Sequence, residues 1–598
     1  MAHRIKVKSN ETVEEIKCNE GEVLLKVLLE NNYDINAYCG GEGICGKCKV
    51  KLSGDKIKKP KQQEIKFIDQ KELKKGYRLS CLYKVNNDLE VHLKEQEEIT
   101  VMTGGIITEL DIDLDLSKET VKLSKATLDN QKDYLQRIYK KTATEKINYN
   151  NLVKIPNLIK NNEISVLKYK DKILDIDTNH KNNNFYGLAV DIGTTTIVIY
   201  LLDLNSGEEI DVNSFYNPQK KYGADVISRI NYAQSNENGK KELKEVLIKQ
   251  LNKGIKKLTE DNKIANDEIY KVSMVGNTIM LHLLLGIDAI SIAKSPYVPV
   301  FTEELELNFN EVGLNINQNA IVQILPSISG YVGADIIGDL LTINMDSLKG
   351  NNLMIDIGTN GEIVLNKGNE IYSCSAAAGP AFEGANITFG TAGISGAISD
   401  FTIEGKEFKY STINSKEPIG ICGSGLLDMI AELYKYGFIE SSGKIEDKKN
   451  LNSWKKEYLK DYNGKRAIKI TNKEASKEIY LTQQDIREVQ LAKGAIAAGI
   501  EILLQKTNLK ADDLDRVFLA GGFGSYINPD KACYIKMIPS NLKDKIIQIG
   551  NGAGTGAKIY LLNKKAKNRA LKVKEKVNYI ELSVNKEFQT EYINSMSF

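Results

Sequence analysis

The feature that most limits how this chain can fold is a repeat. Residues 185–202 read F-Y-G-L-A-V-D-I-G-T-T-T-I-V-I-Y-L-L, and residues 353–365 read L-M-I-D-I-G-T-N-G-E-I-V-L. Each is an apolar run into D-I-G-T followed by a second apolar run, so each predicts a strand–turn–strand hairpin. The copies lie about 165 residues apart, which implies an internal duplication. The chemistry suits phosphate. Asp191 and Asp356, at strand ends, can hold a hydrated Mg²⁺. Gly193, Thr194, Thr195 and Thr196, and Gly358, Thr359, Asn360 and Gly361, allow close backbone approach and supply N–H and O–H donors. The competing reading makes the Asp residues simple caps of tight turns.

A third element joins the two. Val517–Ser525 reads V-F-L-A-G-G-F-G-S, a strand opening into a glycine-rich turn. It resembles the adenosine loop of the actin–Hsp70–sugar kinase (ASKHA) superfamily, in which two duplicated α/β lobes close over ATP. On that resemblance Gly521, Gly522 and Gly524 approach adenine or ribose. Gly330–Ile336 falls where the superfamily places its first interlobe helix, and Gly552–Ala557 where it places the second. Small residues let such helices cross closely and shear. Asp335, by its position on the first interlobe helix, is the leading candidate to orient the attacking water. Glu362 and Glu383 compete for that role. Gly423 and Ser424 precede an apolar helical run to Leu433. They read either as a helix N-terminus aimed at phosphate or as a plain Ser-capped helix.

The N-terminal part carries different chemistry. Residues 38–48 read Y-C-G-G-E-G-I-C-G-K-C. Cys39, Cys45 and Cys48 have the spacing C-x5-C-x2-C, and Cys81 follows in G-Y-R-L-S-C. The plant-type [2Fe–2S] pattern is C-x4-C-x2-C…C with thiolate ligands, and the extra residue resembles the adrenodoxin-type variant. Gly40, Gly41, Gly43 and Gly46 let a loop wrap a cluster and turn N–H groups toward its sulfurs. A zinc site from the same thiolates is the alternative, but zinc ribbons favour paired C-x2-C knuckles. Alternation over Arg4–Lys8 and Glu14–Cys18 predicts two strands. Val23, Leu24, Val27 and Leu28 predict a helix, and Lys49–Leu52 and Leu89–Leu93 predict further strands. Together these resemble a β-grasp ferredoxin over residues 1–95. Cys18, Cys374, Cys422 and Cys533 read as buried structural residues.

Composition removes other classes. Lys plus Arg number 81 and Asp plus Glu 79, a net charge of +2, so no global field favours nucleic acid or an anionic membrane. No apolar run approaches the ~18 residues of a membrane span, and a cytoplasmic location is expected. Four scattered His argue against a His-based metal site. From Lys47 through Arg78 there are 12 basic and four acidic residues. That stretch is either a solvated face or a docking surface for an acidic partner or for the body of this protein. Residues 96–125, read as a linker, hold one alternating stretch, Ile106–Leu114. Residues 126–184 form a small α+β middle domain, with a helix over Thr127–Tyr139, a hairpin of Ser165–Tyr169 and Ile173–Ile176 around Lys170-Asp171, and a polar break at Asn182–Asn184.

The expected architecture is therefore multidomain α/β and α+β: a ferredoxin, a linker, a middle domain, and a two-lobed ATPase over 185–598. Joined in one chain, these parts resemble the reductive activators of corrinoid-dependent enzymes. Further stretches carry the resemblance, among them N-P-Q from Asn217 with Y-G-A-D-V-I-S-R-I from Tyr222, G-N-T-I-M from Gly276, A-G-P-A-F-E-G-A from Ala378 and I-C-G-S-G-L-L-D from Ile421. No Cys follows Cys533, unlike relatives with a C-terminal four-iron cluster. The resemblance implies ATP-dependent passage of one electron through a [2Fe–2S] cluster to a cobalt(II) corrinoid protein of a methyltransferase system. The implied donor is a ferredoxin or flavoprotein, and a homodimer is one assembly it allows. Every ~59 mV of one-electron gap is a tenfold loss, so a cluster near about −400 mV needs help to reach cobalt(I). Two alternatives stand beside it: a redox-regulated ASKHA phosphotransferase, and a nucleotide-switched electron carrier without reductase activity.

Overall fold

Alternation builds the N-terminal sheet. Ile5 and Val7 are buried while Arg4 and Lys6 face outward, so one side of Ala2–Ser9 covers a core. The structure is a computed structural model and describes residues 2–9, 12–31, 33, 35, 41, 43, 46–54, 57–68, 70–93, 111–124, 126–161, 163–177, 185–472 and 475–598. The first sheet runs Thr12–Asn19, Ala2–Ser9, Leu89–His92, Lys49–Ser53, Tyr77–Leu79. Ala2–Ser9 pairs antiparallel with Thr12–Asn19 and parallel with Leu89–His92. The helix Leu24–Glu30 buries Leu24, Leu25, Val27 and Leu28. This is the expected β-grasp unit, with Cys18 in its core.

The next unit is a four-stranded sheet, Leu116–Lys122, Glu163–Tyr169, Lys172–Asp177, Lys146–Ile147. The hairpin at Lys170 forms as read, with Lys170 at φ +53°. Two expectations shift. Leu116–Lys122, placed within the linker, pairs along its whole length with Glu163–Tyr169 and belongs to this sheet. The helix starts at Tyr134 rather than Thr127, because Asp133 caps it by accepting the Gln136 N–H, and Leu128 is 90% exposed. Most of Ile106–Leu114, and Asn182–Asn184, lie outside the described residues. Buried contacts fasten this sheet to the next unit: Lys271 Nζ meets Asp115 at 2.7 Å, and the Tyr169 hydroxyl donates to Glu306 at 2.6 Å.

The duplication appears as two six-stranded sheets that share one five-stranded topology and differ in the sixth, edge strand. In the first lobe, Tyr186–Ile192 is antiparallel to Thr196–Asp203, which is antiparallel to Glu209–Tyr216. Tyr186–Ile192 also runs parallel to Ile269–Gly276, which is parallel to Ile321–Ile324. In the second lobe, Asn351–Ile357, Gly361–Lys367 and Glu370–Ala376 repeat the meander. Arg516–Ala520 and Ile546–Gly550 repeat the parallel strands. After the last parallel strand of each lobe comes an interlobe helix, Ala334–Thr342 or Gly552–Leu562. The hairpin strands of both repeats are buried along most of their length and so read as continuous apolar runs, which is why both repeats were visible in the sequence.

The interlobe helices cross without side chains between them. A Cβ on Gly556 would lie 2.1 Å from the Gly338 carbonyl oxygen, and one on Gly338 would lie 2.8 Å from that of Ala553. Thr342 Oγ1 donates to the Gly552 carbonyl at 2.8 Å. The second lobe also carries two three-stranded sheets, over 397–421 and 459–482. Cys374, Cys422 and Cys533 are buried in it. Among the described residues, no helix is long and apolar enough to cross a membrane.

Candidate functional site

The two D-I-G-T turns face each other across the cleft between the lobes. Gly193 is required by its turn, since a Cβ there would meet the Thr196 carbonyl oxygen at 2.5 Å. Gly358 closes the second turn by donating its N–H to the Asn360 carbonyl at 2.9 Å. Glu383, in the turn Pro380–Glu383, spans both. Thr195 Oγ1 donates to its Oε2 at 3.0 Å and Thr359 Oγ1 to its Oε1 at 2.9 Å. One carboxylate thus accepts a hydroxyl from each lobe. Burial pushes its carboxyl up, against the pull of the two threonines and of Arg229.

Five more carboxyls form a cluster that includes the aspartates of both turns. Burial pushes Asp191 up to about 7, against the Asn551 amide, which donates to it at 3.0 Å. Burial, with Asp356 and Asp191 as like-charge neighbours, pushes Asp335 up to about 8. Asp356 rises to about 6 by burial, partly offset by a bond with Asp339. Part of the surface of Asp191, Asp335 and Asp356 still opens into the cleft. Glu362 is raised by burial and by Asp356, and its Oε1 accepts the Ser375 hydroxyl at 3.2 Å. Asn360 also bonds it and Asp335 is a second like-charge neighbour, whereas Asp335 is acted on by both loop aspartates. Among the described residues no ion pair reaches any of these five. Desolvated like charges without a counterion invite a cation.

Asp339 was not singled out in the sequence. It is 1% exposed and, apart from its carboxyl–carboxyl bond with Asp356, its oxygens have no partner among the described residues. It lies one turn after Asp335 on the first interlobe helix, so the i, i+4 spacing was the available signal. Among the described residues no three side chains converge tightly enough to hold a metal alone. That suits Mg²⁺, which is usually held by one or two carboxylates together with waters and phosphate oxygens. A second residue escaped notice. Arg229 is fully buried, donates to the Thr194 carbonyl at 2.7 Å and the Gly223 carbonyl at 3.0 Å, and is pulled down to about 10 by burial. It fixes the first phosphate-type turn from behind, with Asn217 donating to the Gly193 carbonyl beside it.

The glycine-rich turn forms the short helix Gly521–Gly524 on the second lobe. Gly521, at φ +84°, backs onto Asp356, where a Cβ would sit 2.2 Å from Oδ1. Gly522 has nothing within 4 Å of a Cβ, so it opens to space, and Gly524 packs on Leu519. Phe523 stacks on Phe382 with centroids 4.5 Å apart. Ser424 differs from expectation. It lies inside the helix Gly423–Lys435, whose cap is Cys422 without a side-chain bond. Its hydroxyl donates to the Ser399 carbonyl at 2.9 Å, so its side chain does not cap the helix.

Two of the four cysteines are described. Cys48 and Cys81 are buried, with sulfurs 3.1 Å apart. They are too far apart for a disulfide, and such converging thiols would suit cluster ligation. Gly43 and Gly46, at φ +76° and +68°, give the loop a curl that residues with side chains resist. The donor set fits a [2Fe–2S] cluster. Cys39 and Cys45 lie outside the described residues.

Known proteins match the whole chain. The model of a 2Fe-2S iron-sulfur cluster binding domain matches residues 7–86, that of the RACo middle region residues 186–348, and that of the C-terminal, ASKHA domain of RACo residues 350–598. Corrinoid activation enzyme RamQ of Eubacterium limosum is 31% identical over 98% of this chain and 98% of its own. The [Co(II) methylated amine-specific corrinoid protein] reductase of Methanosarcina barkeri is 24% identical over 69% of this chain and 77% of its own. A solved reductive activator for a corrinoid, iron-sulfur protein superposes with a TM-score of 0.75 at 31% identity, over 100% of this chain and 98% of that one. A ferredoxin-like unit and a duplicated ATPase-type body, shared from end to end with these proteins, place the chain in the family of reductive activators of corrinoid proteins.

Proposed function

We propose that this chain uses ATP to drive one electron onto the cobalt(II) of a corrinoid protein, giving cobalt(I). The observation that carries the reading is the pairing, in one chain, of converging Cys48 and Cys81 thiols with two D-I-G-T turns bridged by Glu383. A [2Fe–2S] cluster on Cys39, Cys45, Cys48 and Cys81 would store and release a single electron. The partners in this reading are a corrinoid protein of a methyltransferase system and a ferredoxin or flavoprotein donor, all in the cytoplasm.

The chain's own residues divide the ATP work. Gly193, Thr194, Thr195, Thr196, Gly358, Thr359, Asn360 and Gly361 donate to phosphate oxygens from both lobes. Asp191 and Asp356 would hold a Mg²⁺ ion, which would neutralise phosphate charge. Asp335, poised by burial near neutrality, orients the attacking water. Glu362 supports the field around it, and Glu383 holds the two turns together before phosphate arrives. Gly521 and Gly522 lie along the adenosine. Closing the cleft shears the Gly338–Gly556 crossing, and ATP thereby favours one lobe arrangement over the other. Reciprocity requires that arrangement to change affinity for the corrinoid partner or for one cobalt state.

The test is anaerobic absorbance of a cobalt(II) corrinoid protein mixed with this protein and a reductant, with and without Mg·ATP. Cobalt(I) that forms only with ATP is expected. ATP hydrolysis without cobalt(I) across several corrinoid proteins would favour the phosphotransferase reading instead.

A further inference from the structure

Among the described residues, the cluster loop meets the ATPase body at Lys47. Lys47, between Cys45 and Cys48, donates from Nζ to the Ile387 carbonyl at 3.2 Å and to the Gly390 carbonyl at 3.1 Å. Two charges of the ferredoxin-like unit face the body elsewhere. Glu478 of the second lobe is held below the usual carboxylate range mainly by bonds from Lys469 and Tyr480, with a smaller pull from Lys71. Tyr232 of the first lobe is pushed up mainly by burial and by its bond to Glu242, with a smaller push from Glu30. The unit therefore faces both lobes.

The acceptor of Lys47 is mechanically joined to the cleft. Glu383 takes the Thr195 and Thr359 hydroxyls. The next residue, Gly384, is at φ +79°, and a Cβ on it would lie 2.4 Å from the Thr391 carbonyl oxygen. A Cβ on Gly390 would lie 2.2 Å from the Gly384 carbonyl oxygen. No side chain intervenes, so a displacement of 383–384 passes by backbone contact to 390–391. Packed backbone of this kind transmits shifts rather than absorbing them.

We infer that the turn 387–390 is the docking platform for the protein's own cluster loop, and that nucleotide phosphate releases the loop by displacing Glu383. The coupling rests on the nucleotide reading of the cleft; the dock itself does not. Phosphate and Glu383 compete for the same two hydroxyls, and both are anionic. When phosphate takes the hydroxyls, Glu383 withdraws, and Gly384 carries the Ile387 and Gly390 carbonyls away from Lys47. In the docked state the cluster loop faces this body and not a second protein. Release then frees it to meet the corrinoid partner only when ATP is bound. The basic stretch from Lys47 to Arg78 thus serves, at least through Lys47 and Lys71, the body of this same protein.

Small-angle scattering of the full-length, cluster-loaded protein tests this. A compact chain of this length has a radius of gyration of roughly 25 Å. Releasing a unit of this size on its connecting segment should add about 3 Å to that. Lys47→Glu, with its visible cluster spectrum intact, should show that expansion without nucleotide. Wild-type protein should show it on saturation with Mg²⁺ and a non-hydrolysable ATP analogue, and Lys47→Glu should expand no further. If Lys47→Glu fails to load its cluster, Lys71→Glu, on the helix Gln70–Lys74 outside the cysteine-bearing loop, should give a smaller expansion. Wild-type scattering from either loaded variant would overturn the dock. Expansion in Lys47→Glu, with none in analogue-bound wild type, would overturn the coupling. Neither result depends on whether cobalt(I) is formed.

Discussion

Replacing Gly556 by alanine tests the interlobe geometry. The new Cβ would lie 2.1 Å from the Gly338 carbonyl oxygen and 2.3 Å from its Cα. Ordinary carbon contacts are about 3.5–4.0 Å, so the two helices must part by more than roughly 1 Å. The atoms in the way are backbone and cannot rotate aside. Overpacking of this kind costs about 1–3 kcal/mol, and the better helix propensity of alanine returns at most about 1 kcal/mol. A net loss of about 1–2 kcal/mol is expected in thermal unfolding, together with a higher KM for ATP because the cleft angle is set at this crossing. Gly494→Ala is the control. It is also helical, but its Cβ would meet neighbours at 3.4–3.5 Å, an ordinary contact, so it should be neutral or stabilising. Equal stability and equal KM in Gly556→Ala and wild type would refute the argument that these helices cross on bare backbone.

Three further outcomes are expected. Cys81→Ser should abolish the visible cluster absorbance while leaving ATP hydrolysis within about twofold, because the two sites are separate units. Asp335→Asn should lower the kcat of ATP hydrolysis by about 10²-fold or more, with KM nearly unchanged and the cluster spectrum intact; a fall confined to KM would move it from the chemistry to binding. Burial, with Lys536 adding to it, pulls Lys493 down to about 7, so between pH 7 and 10.5 the native state holds fewer protons than the unfolded one. Stability should therefore rise with pH in that window by up to about 1.4 kcal/mol per unit. Denaturant titrations at pH 7.5 and 9.5 should show Lys493→Met flattening that slope, and an unchanged slope would refute the assignment.

Much of this was legible in the sequence because the informative residues act locally. The D-I-G-T turns need glycine for the tight return at Gly193, and their strands are buried on both faces, so pattern and turn chemistry agree. The cysteine spacing likewise fixes a loop. What was missed depends on packing between distant segments. Asp339 looks like any helical aspartate until Gly552 and Asp356 close around it. Arg229 becomes a support for the first turn only when its helix is laid behind Thr194. Leu128 had helical spacing, yet the Asp133 cap begins the helix later, and local capping outweighed the pattern. Ser424 stands between Gly423 and Gly425, and only the fold shows its hydroxyl bonded to Ser399. Leu116–Lys122 is a polar, half-exposed strand, so it lacked the apolar signature that reveals strands in the lobes.

The central claim is that the cluster and the ATP cleft act together on cobalt, and one dissection tests it most directly. Cobalt(II) corrinoid protein would be mixed anaerobically with reductant and Mg·ATP, and cobalt(I) followed by absorbance for wild type, Cys45→Ala and Asp356→Ala. The account predicts cobalt(I) with wild type alone: Cys45→Ala hydrolyses ATP without reducing cobalt, and Asp356→Ala keeps its cluster spectrum but loses the ATP-dependent reduction. Undiminished cobalt(I) formation by either variant would contradict it.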